Sequence, residues 1–244
     1  MKYAIRLFPI LFFLAGCVGL VRLSFENGRL VEQIDQLEAE LGGMSIEDSD
    51  RVYMVEIETP DVPPEIASHV ERVWQFRCYL PPGYSFMRTS GGGRVAKEGI
   101  YSSGGFSTSW SMPAPKAIHS LLTLCTRRKD GRFEAFYSFG GSSGTSSWNR
   151  FDPGRLDNTL VVQKLVSSDQ GPRSFNQDTI LPVLKIYDPS GSETVEVDGE
   201  TLTTYPGGLI LLCPKSRESE LHQLRKGETP TEFDPSMVAT EAGS

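Results

Sequence analysis

Three periodicities succeed one another along this chain of 244 residues. From Leu7 to Val21 no charged residue interrupts a mainly apolar run, and Lys2 and Arg6 stand just before it. From Leu20 to Leu41 the positions Leu20, Leu23, Asn27, Leu30, Ile34, Leu37 and Leu41 recur at alternating spacings of three and four, the a/d pattern of a coiled coil. From Asp50 onward the period falls to two. "RVYMVEIE" (Arg51 to Glu58) alternates, and "VWQFRCYL" (Val73 to Leu80) places Trp74, Phe76, Cys78 and Leu80 on one face with Gln75 and Arg77 on the other. Between these strands, paired prolines before Glu65, Ile66, Ala67 and Val70 predict a short helix entered through Pro64.

The later elements follow from turn chemistry. "HSLLTLCTRR" and "RFEAFYSF" form a hairpin around Asp130-Gly131, whose residues supply the positive φ angles of a tight turn. Further strands are predicted at Thr159 to Leu165, Ile180 to Tyr187, Thr194 to Val197 and Gly208 to Cys213, with turns at Asp188-Pro189-Ser190-Gly191 and Asp198-Gly199. The Gly/Ser-dense stretch Arg88 to Pro115 is expected as irregular strands and long surface loops. Many short strands without strand–helix alternation predict a mainly β protein, an antiparallel β-sandwich or barrel over residues 44–216. An anchor occupies 1–25 and an amphipathic or coiled-coil helix 26–43, ending at Gly42-Gly43. Residues 217–244 lack apolar periodicity and, after at most a short helical turn near Leu221 to Leu224, are expected as a disordered polar tail.

Two readings of the anchor compete. Residues 14–17, Leu14-Ala15-Gly16-Cys17, resemble the small-residue box of bacterial lipoprotein signals, which implies lipid on Cys17 as the first mature residue. The other reading is an uncleaved helix. The fifteen residues from Leu7 to Val21 span ~22 Å at ~1.5 Å each. That is short of a ~30 Å hydrocarbon core, but Arg6 and Arg22 can snorkel across the difference. Cys17 is followed by Val18, Leu20, Val21, Leu23 and Phe25 rather than a polar tether, which tips the balance to an uncleaved anchor running into the stalk. Leucine at d (Leu23, Leu30, Leu37), Ile34 at a and a polar Asn27 at a suit a parallel homodimer in fixed register. About three heptads also suit docking on a neighbouring domain or on lipid headgroups. In either case the basic N-terminus stays inside, so the β domain faces out of the cytoplasm.

Composition removes several classes of function. A net charge of −7 without a Lys/Arg cluster argues against nucleic acid. Cys78, Cys125 and Cys213 each fall in a predicted strand. Apolar neighbours favour small core residues, with one disulfide plus a thiol as the alternative. No CxxC spacing occurs, and His69, His119 and His222 are scattered, so no metal or cofactor is expected. Gly140-Gly141-Ser142-Ser143-Gly144 satisfies G-x-S-x-G after a strand, the pattern of a nucleophile elbow. A serine hydrolase using Ser142 is therefore the enzymatic alternative. The sequence that follows lacks the helix such an elbow needs, and no catalytic residue is assigned.

Binding is the better-supported class. Tyr101, Trp110 and Trp148 in Gly/Ser-rich segments are candidate ligand contacts, because flat rings offer large contact area at small entropic cost. The weightier alternative for Trp110 and Trp148 is a place in the core. The layout, with the strand–loop string "VWQFRCYLPPGYSF" (Val73 to Phe86), resembles uncharacterised bacterial envelope proteins that carry an N-terminal anchor, a helical stalk and one outward β domain. That resemblance implies a non-catalytic, membrane-anchored envelope protein whose partner is another envelope protein or a glycan. It supplies no catalytic residues.

Overall fold

A computed structural model describes residues 20, 22–26, 28–29, 44–59, 61–63, 65, 69–130, 132–148, 151, 160–231 and 233–240. The chain divides into two units, Met1–Ser45 and Ile46–Ser244. In the first, residues 20, 22–26 and 28–29 are helical, Arg22 reaches Glu26 one turn on at 3.4 Å, and Leu20, Leu23 and Phe25 are exposed. The predicted anchor before Leu20, the stalk positions Asn27, Leu30, Ile34 and Leu37, and Pro64 with residues 66–68 of the short helix expected there lie outside the described residues, while the described Glu65 and His69 are in turns.

The second unit is mainly β, and its strands form two antiparallel sheets packed face to face. The first has the order β7-β6-β5-β2-β1-β9. Its strands are β1 (Val52–Ile57), β2 (Arg72–Leu80), β5 (Ile118–Lys129), β6 (Arg132–Phe139), β7 (Ser142–Ser147) and β9 (Arg173–Phe175). The period-two pattern sets its register. Trp74 faces Leu124 and Phe76 faces Leu122 across β2 and β5, and all four are buried. The predicted hairpin is present, with Lys129 opposite Arg132 and Asp130 at φ 52°.

The second sheet has the order β4-β3-β12-β10-β8, with β11 paired to β12. It comprises β3 (Phe86–Ala96), β4 (Ser102–Trp110), β8 (Val161–Lys164), β10 (Leu181–Tyr187), β11 (Glu193–Val197) and β12 (Glu200–Pro214). Here the Gly/Ser-dense stretch departs from expectation. Residues expected as irregular strands and surface loops form two regular strands, and β3 lies inside the sheet between β4 and β12. The reason is Trp148. A Cβ on Gly92 would meet the Trp148 Cβ at 2.5 Å, and one on Gly208 would meet its ring at 2.2 Å. The glycines leave a bed for a large ring between the sheets, so the composition that suggested a loop serves close packing instead.

One core lies between the sheets, with Phe76, Leu122, Phe133 and Trp148 meeting Leu184, Ile210 and Leu212. A second lies on the far face of the second sheet. Leu209, Leu211 and Cys213 of β12 pack there with Met87, Ile180 and Leu221. The run "LILLC" is continuously apolar because this sheet is buried on both faces. Leu221 belongs to α1 (Glu218–Lys226), which is acidic in its first turn and basic in its last, and Gly227 closes it at φ 82°. Residues 217–244 are expected as a disordered tail, yet the described ones, 217–231 and 233–240, continue the fold. Met237 is buried, Val238 bridges Ile180, and Asp234 caps a short turn through the Ser236 N–H. Leu221, Met237 and Val238 are too few and too widely spaced to show apolar periodicity, but the second core takes in Leu221 and Val238, and the buried Met237 accepts through its carbonyl from the Ile180 N–H.

Candidate functional site

Of the sequence-derived site residues, Cys17, Asn27, Leu30, Ile34 and Leu37 lie outside the described residues. Trp148 is a core residue rather than a ligand contact. It is fully buried, with Phe133 and Phe151 centroids 5.6 and 6.1 Å from its own. Tyr101 and Trp110 bracket β4 and are separated by nine residue steps, so at ~3.3 Å per residue they stand ~30 Å apart. They belong to two different concavities.

Tyr101 lines the larger one, a cleft of about 520 Å³. The β3–β4 loop, the β11–β12 hairpin, the end of α1 and residues 233–240 supply most of its lining, with Gln163 of β8 and Pro182 of β10. Its walls are mostly apolar, including Ile100, Leu202, Phe233 and Val238, with Lys97, Glu98 and Glu200 as charged members. Such a size and mixture are typical of small-ligand sites. Gly227 fixes one wall, because a side chain there would strike Val197 at 2.4 Å and Tyr101 at 3.2 Å. The β3–β4 loop is held from below by Lys185 of β10, whose side chain is buried and whose Nζ donates to the carbonyls of Lys97 at 2.7 Å and Gly99 at 3.1 Å. Gln163, directly opposite Lys185 across β8 and β10, also borders the cleft.

Trp110 lines the smaller concavity, about 260 Å³, at the end of the sandwich where β3 begins and β4 and β6 end. Ser142 lines it too. The turn before Ser142 is Gly140-Gly141, at φ 57° and 75°, and Ser142 opens β7 opposite Phe139. The G-x-S-x-G string is thus strand–turn–strand, where an elbow is strand–turn–helix. Ile118 of β5 lines the cavity, while the next residue, His119, lies against Tyr79 at a ring distance of 5.0 Å. Among the described lining residues there is neither a histidine nor a carboxylate.

Arg88 is the chemically distinctive member. Alternation along β3 puts Phe86 in the core between the sheets and Met87 in the second core, so Arg88 also points between the sheets. It is 4% exposed, with its guanidinium 3.5 Å from the Tyr137 ring centroid. Nη2 donates to Ser109 Oγ at 2.7 Å, whereas Nε is buried and makes no hydrogen bond among the described residues. Burial pulls the Arg88 pKa down and Tyr137 opposes it, and a guanidinium stays charged regardless. Burying an ion costs several kcal/mol. Stacking on an aromatic face returns roughly 0.5–2 kcal/mol, and one charged hydrogen bond about 1.5–3 kcal/mol.

Sequence reasoning missed both Arg88 and Lys185. Arg88 shares parity with Phe86 in "FMRTS", a signal that reports burial only where this stretch is a regular strand rather than the irregular strands and long loops expected of it. Lys185 stands alone in "LPVLKIY", and a lone lysine in an apolar strand is itself a sign of specific pairing. The three domain cysteines are free thiols, Cys78 and Cys213 buried and Cys125 half-buried. No group of three or more His, Cys, Asp or Glu able to hold a metal occurs among the described residues. Among them, too, no helix is long and apolar enough to cross a membrane. No protein-family model, curated protein or solved structure matches this chain.

Proposed function

We propose that the chain is a non-catalytic binding protein of the bacterial cell envelope, anchored by its N-terminus, with the β unit outside the cytoplasm and a ligand seated beside Tyr101. The observation that carries this reading is the 520 Å³ cleft, where apolar walls, an aromatic ring and three charged residues converge. Lys185 holds one wall rigidly, which lowers the entropic cost of closing on a ligand. Tyr101 and the exposed Phe233 supply flat surfaces suited to a sugar ring or a peptide side chain. The ligand class is a glycan or a segment of another envelope protein.

The anchor rests on the apolar run from Leu7 to Val21 and on the exposed helical residues Leu20, Leu23 and Phe25, which a bilayer or a second copy would cover. The heptad phase through Asn27, Ile34 and Leu37 supports a parallel dimer. A second reading, a lipoprotein tethered through Cys17, rests on the string Leu14-Ala15-Gly16-Cys17. The mass of the mature N-terminus from native membranes separates the two: an intact residue 1 supports the anchor helix, and a diacylglyceryl group on Cys17 replaces it. For the cleft, the full chain in detergent is screened on glycan and peptide arrays beside Tyr101→Ala. Signals lost in the variant support the reading, and signals common to both proteins refute it.

A further inference from the structure

The smaller cavity holds a cation whose partners inside the protein do not complete its hydrogen bonding. Arg88 is clamped on one face by Tyr137 at 3.5 Å and on one edge by Ser109 at 2.7 Å, while its buried Nε is without a hydrogen-bond partner among the described residues. A guanidinium carries five N–H donors in a planar fork, and Arg88 lines the cavity with Ser109 taking up only one of them, so the fork can still receive an acceptor from the cavity side. Ser109 Oγ accepts from Arg88, which leaves its own O–H to donate, and Ser111 and Ser142 also line the cavity. Leu80, Phe86, Ile118 and Phe139 are apolar members of the wall. At the mouth, Trp110 is half exposed and the Lys215 Nζ lies 5.7 Å from its ring centroid, adding positive charge at the entrance.

We propose that this cavity, independently of the cleft beside Tyr101, is a receptor for a carboxylate carried on a compact apolar or aromatic body, with Arg88 as the residue that binds the carboxylate. One planar fork with flanking hydroxyls matches a monoanionic carboxylate, whereas a dianionic phosphate wants more cationic donors than one. The volume, about 260 Å³, suits a body the size of one ring or one amino-acid side chain. Two sources present this chemistry, a free carboxylic acid and the C-terminal carboxylate of a peptide.

The test is a titration of the full chain in detergent micelles, following the Arg88 Nε–H resonance by nitrogen-edited NMR. The probes are benzoate, uncharged benzyl alcohol, inorganic phosphate, and the peptide Gly-Gly-Phe as acid and as amide. Benzoate is expected to shift the resonance saturably, and benzyl alcohol to leave it unmoved. If the peptide acid also acts and its amide does not, the source is a peptide terminus; if benzoate acts alone, it is a free acid. Arg88→Lys, which keeps the charge but loses the fork, is expected to weaken benzoate at least tenfold, and Arg88→Met to abolish its binding. Should Arg88→Met fail to fold, the resonance in the unaltered chain decides. Equal responses to benzoate and benzyl alcohol, a stronger response to phosphate, no saturable shift with either acid, or unchanged benzoate affinity in Arg88→Lys would each overturn the assignment.

Discussion

Replacing Gly208 by alanine tests how the sandwich is filled. The added Cβ would stand 2.2 Å from Cε3 and Cζ3 of Trp148, where carbon atoms settle at ~3.5–4.0 Å. Relief requires the ring to move by more than ~1 Å, and Phe133 and Phe151 pack against that ring. Overpacking of this kind costs ~1–3 kcal/mol, and a backbone-fixed Cβ against a fully buried ring belongs at the upper end. Alanine also restricts the unfolded chain, returning about 0.4–1 kcal/mol, so the expected net loss is ~2 kcal/mol. For a unit of this size that is a fall of ~4–8 °C in Tm. Gly105→Ala is the control. It pairs with Gly92 on the neighbouring strand, yet nothing lies within 4 Å of its would-be Cβ, so stability should hold or rise slightly. Urea and thermal melts followed by tryptophan fluorescence measure both, and Gly208→Ala combined with Trp148→Leu should cost less than the two changes summed. Equal losses for Gly208→Ala and Gly105→Ala, or strict additivity with Trp148→Leu, would refute the steric account.

Other consequences are separately measurable. Glu56 of β1 and Lys164 of β8 join the two sheets at 2.6 Å, with Glu56 nearly buried and also accepting from the Ser168 N–H. A double-mutant cycle with Glu56→Gln and Lys164→Met should therefore return a coupling of ~1–3 kcal/mol, and a value near zero would show the bridge to be idle. Burial raises the pKa values of all three domain cysteines, Cys213 to about 12, and Cys125 alone of them is only half-buried. Of these three, Cys125 should react first with a thiol reagent at neutral pH, and faster labelling of Cys78 would contradict the described core. The Ser236 N–H holds the Asp234 carboxyl below its ordinary pKa. A depressed folded-state pKa stabilises above the unfolded value and is lost as pH falls through the folded one, so exchange protection around Met237 should weaken only at acid pH. Weakening between pH 5 and 8 would point to another group.

Much of the first sheet was legible because half-buried strands write their burial as alternation. Trp74, Phe76, Cys78 and Leu80 fall on the core face as their spacing requires, and the turn at Asp130 follows from its residue type. The second sheet was harder to read. Its strands are buried on both faces, so "LILLC" has no alternation, and β12 extends back to Glu200 through polar residues that only pairing with β3 and β11 makes strand. Gly91 to Gly93 look like a loop because what fills the space beside them, the Phe106 ring at Gly91, Trp148 at Gly92 and the Ser103 carbonyl at Gly93, comes together only in the folded sheets. The candidate contacts divided for the same reason. Tyr101 and Trp110 reach two separate cavities, and Arg88 and Lys185 become notable only when the strand faces are known.

The most direct measurement of the central claim is an amide NMR map of the full chain in micelles, titrated with an N-acetylglucosamine trimer and, separately, with a mixed peptide library. Binding at the cleft predicts shifts confined to residues 97–101, 200–202 and 233–240, lost in Tyr101→Ala while the remaining spectrum is preserved. Shifts elsewhere with those segments silent, or no saturable change with either probe, would contradict it.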